Sequence, residues 1–284
     1  MIASAPNLLA LPFEHWESEW AIDAEAAVAC ALYAWGVLRV RRWRAVWCCS
    51  FLAGVGIVLV ALQSGVDAYD DRLLSDHMVQ HMLLLFAAPP LLLLGRPVTL
   101  ALRGPRRHAL ARVLIRARPL TNPYVLVPVF SLVLLLTHLT GFYEVTLRHQ
   151  LVHDFEHAIF LAVGLLFWTP LLDANPLATR RLGGVGRLVY VLAAMPAMAA
   201  IGAYLNRSPT LVYPAYGPPA RALGVSALAD QAQAGAIMWV GGGVTLVAAG
   251  LYLAMAAMSA EERRLQAREL AGAPERAGAG GVAP

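Results

Sequence analysis

Long apolar runs recur seven times along the chain, each about the length that a helix needs to cross a bilayer. They fall at about 22–38, 45–64, 74–95, 123–140, 152–172, 185–205 and 231–256, and polar or proline-rich segments separate them. The pattern predicts an all-α polytopic membrane protein with seven transmembrane helices and no internal repeat. The first run is the weakest, being short and carrying Glu25 near its start. Pro89 and Pro90 interrupt the third run and Pro196 the sixth. Proline inside a membrane helix removes backbone hydrogen bonds and allows a kink or a cavity. Between the sixth and seventh runs, Asn206 to Asp230 carries Pro209, Pro214, Pro218 and Pro219 with Tyr213 and Tyr216, which reads as a structured loop or cap and not a helix.

Composition agrees with a membrane protein: 59% of residues are hydrophobic, 14% are charged, and mean hydropathy is +0.60. Every basic residue is arginine. Arg39, Arg41, Arg42 and Arg44 follow the first run, Arg96 to Arg118 follow the third, Arg180, Arg181 and Arg187 follow the fifth, and Arg263, Arg264, Arg268 and Arg276 follow the seventh. Only Arg72, Arg148, Arg207 and Arg221 fall on the opposite side. The positive-inside rule then puts the N-terminus outside and the C-terminus in the cytoplasm. The net charge of +4 is therefore a topology signal, and no nucleic-acid partner is expected. The arginine-rich loop at about 96–122 suits the anionic cytoplasmic leaflet.

Three regions follow: an external tail over 1–21, a membrane domain over 22–258, and a cytoplasmic tail over 259–284. The last is rich in Ala, Gly and Pro and is expected to be disordered. Met1 to Trp20 lacks a basic n-region and a proper h-region, so no cleaved signal peptide is expected. Cys30, Cys48 and Cys49 are not placed for a disulfide on the oxidising side. They read as small buried hydrophobes, with a soft-metal role for the adjacent pair as the alternative.

The candidate chemistry lies in histidine. His77/His81 and His153/His157 each have i, i+4 spacing near the start of an apolar run. On a helix, both rings of such a pair share one face, about 6 Å apart along the axis. Ionisable groups inside a membrane segment are costly and mark function. The predicted topology also brings His138 and His149 to the same outer layer, His15 in the tail is a further candidate, and His108 falls on the cytoplasmic side. Imidazole is the commonest metal ligand, and an i, i+4 pair can offer two nitrogens to one ion. Met78 and Met82 lie about 100° round the helix from their neighbouring histidines and add possible thioether donors. Imidazole with thioether favours copper, copper(I) especially. Asp76, Asp154, Glu156, Asp230 and Gln231 are candidates to orient the rings.

Two other readings of the pairs stay open: interhelical hydrogen bonding without metal, and haem. Bis-histidine haem needs one ligand per helix and a roomy pocket, so ligands doubled within one turn suit a small ion better. A retinal-type pump is excluded because there is no lysine for a Schiff base. No P-loop, nucleotide fingerprint, nucleophile elbow or HExxH motif is present, and nothing argues for an enzyme.

At these residues the sequence resembles the CtaG-like cytochrome c oxidase assembly proteins of bacteria. The stretches that carry it are Leu74-Ser-Asp-His-Met-Val-Gln-His-Met82 with Ala88-Pro-Pro-Leu and Gly95-Arg-Pro97, then His153-Asp-Phe-Glu-His157 with Gly164-Leu-Leu-Phe-Trp168 and Pro170, then Asp230-Gln231 with Ala234-Gly235 and Met238-Trp239. The resemblance implies a seven-helix, multi-pass protein of the bacterial inner membrane that helps mature a copper-containing terminal oxidase. It implies His77, His81, His153 and His157 as metal ligands, with Asp230 and Gln231 as further motif positions. The partners implied are an oxidase subunit, a periplasmic copper carrier and the lipid bilayer. A copper permease, with Met195, Met198 and the cysteines as a path, and a metal-free assembly scaffold are the competing functions.

Overall fold

The computed structural model describes residues 16–104, 107–172, 176, 179 and 182–272. The placements made above for His15, Arg106, Arg180, Arg181 and Arg276, and for most of the N-terminal tail, lie outside them. The described chain is mostly helical, with no strand among the described residues. Two long helices, α1 (Trp20–Leu38) and α2 (Ala45–Gln63), lead into a single turn, α3 (Gly65–Ala68). The third span is α4 (Leu74–Met82), a π turn over Leu83–Ala87, and α5 (Ala88–Leu94), followed by α6 (Pro97–Ala101). Next come α7 (Arg107–Ala117), α8 (Pro123–Leu139), the short α9 (Phe142–Thr146), α10 (Gln150–Trp168) and α11 (Gly184–Arg207). A cap containing α12 (Gly217–Ala222) precedes α13 (Ala227–Ala236), a second π turn and α14 (Gly242–Gly272).

Six helices are long and apolar enough to cross a membrane. A seventh crossing results if Arg107–Thr121 and Pro123–Leu139, bent by 73° at their junction, are taken together. Asn122 marks that bend, its side chain accepting from the Tyr124 N–H at 3.1 Å, with Pro123 opening α8. The outer surface carries large apolar side chains such as Leu32, Leu132, Val185 and Tyr252, as a lipid-facing surface requires. In α1 only Tyr33 is buried. It holds that helix to the bundle by donating to the Gly95 carbonyl at 2.7 Å and stacking on Phe51 at 4.0 Å.

Three expectations are corrected. Pro196 does not interrupt its span: α11 runs unbroken from Gly184 to Arg207. The stretch from Asn206 to Asp230 is a structured cap, as read, but a 3-10 turn at Pro214–Tyr216 and α12 lie within it, and Asp230 already belongs to α13. Prolines favour the first turn of a helix, which is where Pro214, Pro218 and Pro219 stand. The expected disordered tail at 259–284 is helical as far as Gly272, because Ala, Glu, Arg, Leu and Gln in this stretch are strong helix formers.

The prolines of the third span do alter their helix. Pro89 and Pro90 have no N–H, so the Leu85 carbonyl has no donor at either the α or the π spacing. Trp168 of α10 supplies one, its Nε1–H donating to that carbonyl at 3.0 Å. One helical turn earlier, Gly164 lets α10 close onto the same turn. A Cβ there would lie 2.7 Å from Pro89 Cγ and 3.0 Å from the Leu84 and Leu85 oxygens. This contact sets how far α10 can slide along α4, and so the relative depth of the two histidine pairs. Trp168→Phe leaves a buried carbonyl unpaired and should lower stability by about 1–3 kcal/mol. Gly164→Ala should lower it by a similar ~1–3 kcal/mol through overpacking. Unfolding midpoints of the purified protein in detergent check both values.

Candidate metal centre

The start of α4 is held from a distance. Leu73 at its N-cap has no side chain able to accept, and Asp230 of α13 does this instead. Its carboxylate accepts from the Leu74 N–H at 2.7 Å and from the Ser75 N–H and hydroxyl at 3.3 and 2.5 Å. A carboxylate at a helix N-terminus satisfies free N–H groups and opposes the helix dipole. Farther along α4, Gln80 Nε2 donates to the Ala61 carbonyl at 2.9 Å and to Asp67 at 2.8 Å, tying α4 to α2 and α3. With α4 held on these sides, His77 and His81 face α10.

The two pairs meet. Ring centroids are 4.2 Å apart for His77 and His81 and 4.3 Å for His153 and His157. Between helices, His77 stacks on His153 at 5.2 Å and lies 6.0 Å from His157, while His81 lies 6.1 Å from His157. His138, from the end of α8, reaches His81 at 5.6 Å. Two carboxylates complete the cluster. Glu156 Oε2 is 3.7 Å from His77 Nε2 and 3.9 Å from His81 Nε2, and Asp70 Oδ2 is 3.4 Å from His153 Nε2. The donor atoms of Asp70, His77, His153 and His157 lie within 4.8 Å of one another, as do those of His77, His81 and Glu156.

These donors are buried and have no hydrogen-bond partner. Both nitrogens of His77 and of His81, Nε2 of His138, His153 and His157, both oxygens of Glu156 and Oδ2 of Asp70 are all unpaired. Each such atom carries a desolvation cost of about 1–3 kcal/mol unless something binds it. Direct hydrogen bonds would have paired them, but the nearest nitrogen–oxygen approaches, 3.4 Å for His153 to Asp70 and 3.7 Å for His77 to Glu156, are longer than ordinary hydrogen bonds. A small cation is the partner that this mixture of neutral nitrogens and carboxylate oxygens can accept.

The surroundings position the donors. Nδ1–H of His138 donates to the Leu134 carbonyl at 3.0 Å, which leaves its Nε2 as a lone-pair donor. The cap lies over this layer. Tyr213 donates to the His138 carbonyl at 2.6 Å, and Tyr143 bonds Tyr216 at 2.9 Å, whose hydroxyl donates to the Asp70 carbonyl at 2.8 Å. Asp70 itself is buried in the loop before α4, and burial first, then the charges of Asp67 and Asp71, pushes its carboxyl well above the usual range. A cleft of about 550 Å³ between α1, α2 and α10 runs past Asp67, Gln150, Asp154 and His157 onto apolar walls at Val55 and Leu92.

The sequence-predicted residues divide clearly. His77, His81, His153, His157 and His138 come together. Glu156, read as a group that orients rings, stands among the donors themselves. Asp70, visible only as part of an acidic loop, is the residue that sequence reasoning missed. Asp154 is exposed and accepts from Gln150 at 2.9 Å, and His149 is exposed at the N-cap of α10. Asp76 is buried with both carboxylate oxygens unpartnered and belongs to neither donor group. Asp230 and Gln231 hold the frame: Gln231 accepts from the Val212 N–H at 2.7 Å and donates to the Leu205 and Thr210 carbonyls. Both methionines pack with the apolar core. Met78 is fully buried in the apolar core, and Met82 turns its sulfur towards Gly242, beside Met198. Cys30, Cys48 and Cys49 are free thiols, and Cys48 packs with Tyr33 and Phe51, apart from the histidines.

Comparison with known proteins finds relatives over most of the chain. An uncharacterized protein of Mycobacterium bovis is 31% identical over 251 residues, covering 82% of this chain and 38% of its own length. Its counterpart in Mycobacterium tuberculosis gives the same figures. An uncharacterized protein of Mycobacterium leprae is 28% identical over 286 residues, covering 93% and 42%. The chain thus spans about two-fifths the length of the curated relatives it matches. No solved structure matches it. Residues 31–260, which contain every member of the cluster, match one family, and the chain belongs to it: the cytochrome c oxidase caa3 assembly factor family.

Proposed function

We propose that this chain binds copper(I) in the histidine cluster and helps to assemble a cytochrome c oxidase by passing the ion to an oxidase subunit. The observation that carries the reading is the set of buried imidazole and carboxylate atoms without hydrogen-bond partners, drawn from α4, α8, α10 and the Asp70 loop. Imidazole-rich sites suit transition metals and not magnesium or calcium, and membership of an oxidase assembly family favours copper among them. Donors within 4.8 Å of one another suit single small ions, whereas bis-histidine haem takes one ligand on each face of the porphyrin.

Transfer would proceed by ligand exchange alone, so the chain is read as a carrier and not an enzyme. His153 and His157 keep 9% and 7% of their surface exposed, while His77 and His81 keep none, so the cluster is open on one side. A periplasmic copper carrier would load the site from that side. The arginine bias supports a place in the bacterial cytoplasmic membrane with the N-terminus and the histidine end outside.

Three experiments test this reading. Purified protein loaded with copper(I) should retain it, and the variant carrying His77→Ala, His81→Ala, His153→Ala and His157→Ala should lose it while still reaching the membrane. Retention by that variant would move the metal elsewhere, and no retention by the parent protein would favour a metal-free scaffold. Copper uptake into vesicles that contain this protein alone would favour a permease. For orientation, a reporter active only in the cytoplasm should work when fused after Pro284 and fail when inserted between Pro209 and Pro219. The reverse pattern would put the histidine end on the cytoplasmic side.

A further inference from the structure

The donors form two sets, not one. Asp70, His153 and His157 gather near the mouth, and His77, His81 and Glu156 gather below them. Each set holds two imidazoles and one carboxylate, and His77 is within reach of both sets. Neither nitrogen of His77 is committed to a hydrogen bond. A single ion bound by one set leaves buried donor atoms of the other set without a partner, Oδ2 of Asp70 or both oxygens of Glu156 among them, which is costly in a low-dielectric interior. One monovalent cation in each set would leave two neutral assemblies, whereas a divalent ion in each would leave two uncompensated buried charges. The other nearby carboxylates belong to neither donor group: Asp67 is bonded to Gln80, Asp154 is exposed, and Asp76 lies outside both.

We propose that the cluster is a two-ion centre holding two monovalent soft cations per chain, an outer one at Asp70, His153 and His157 and an inner one at His77, His81 and Glu156. This rests on reading the cluster as a metal site. Burial ranks the two positions. The outer set touches the cleft through His157, so its ion exchanges readily. The inner set is closed off, its side chains at most 1% exposed, and His138 borders it with the free Nε2 described above. His77 is the ligand that either position can use, so an ion can move between them by exchanging one imidazole at a time.

The test is copper(I) loading of the full chain in detergent under reducing conditions, with the ratio read by elemental analysis after excess metal is removed. Two ions per chain are expected, leaving in two phases when a copper(I) chelator is added. Asp70→Asn keeps the size of the side chain and removes its charge; it should bind one ion and lose the fast phase. Glu156→Gln should also bind one ion and lose the slow phase. One ion per chain in the parent protein, with a single phase of release, overturns the two-ion proposal and leaves the metal-site reading intact. No bound ion in the parent protein overturns that reading itself. If either variant fails to fold, the parent protein's ratio and release phases decide.

Discussion

The architecture depends on a carbonyl that its own helix cannot satisfy. Pro89 and Pro90 remove the donors that Leu85 would use, and in lipid there is no water to replace them. Trp168 fills the gap, and Gly164 allows the approach that brings its indole there. The result is a fixed register between the third and fifth spans. Because His77 and His153 belong to those same helices, that register decides whether their rings meet or pass at different depths. A slip of one turn, about 5.4 Å, would separate them by more than any metal can bridge.

A second layer of constraint comes from the opposite end of the sequence. Asp230 holds the first turn of α4, Gln231 holds the cap, and the cap tyrosines hold the carbonyls of His138 and Asp70. None of these residues offers an atom to the donor sets, yet each fixes an element that does. Their motif positions are thus explained by structure and not by ligation. The donors themselves are buried and left unpaired, which is a poor arrangement for stability and a good one for capturing an ion.

Much of this was legible in the sequence because it follows from periodicity. Apolar length gave the spans, and i, i+4 spacing put two rings on each helix face. The placement of His138 in the same layer followed from counting spans. Residues whose direction depends on tertiary contacts were not legible. Asp70 sits in a loop whose path is set by Tyr216, far away in sequence, so it looked like one acid among several. Met78 and Met82 share a helix with the histidines, but Met78 is buried in the apolar core and Met82 turns its sulfur towards Gly242 of α14, choices that only packing decides. Asp230 resembled a group that orients metal ligands and instead caps a helix. The proline-interrupted third span leaves α geometry at a π turn, while Pro196 is absorbed into an unbroken helix.

The central claim is that nitrogen and oxygen atoms of the histidine cluster hold the metal, with no part played by the methionines or cysteines. X-ray absorption at the copper edge of the loaded protein tests it most directly. The account predicts a shell of nitrogen and oxygen scatterers with the multiple-scattering pattern of imidazole rings and no sulfur. A shell dominated by sulfur would contradict it, and would place the ion at the thiols or thioethers that the structure sets apart from the cluster.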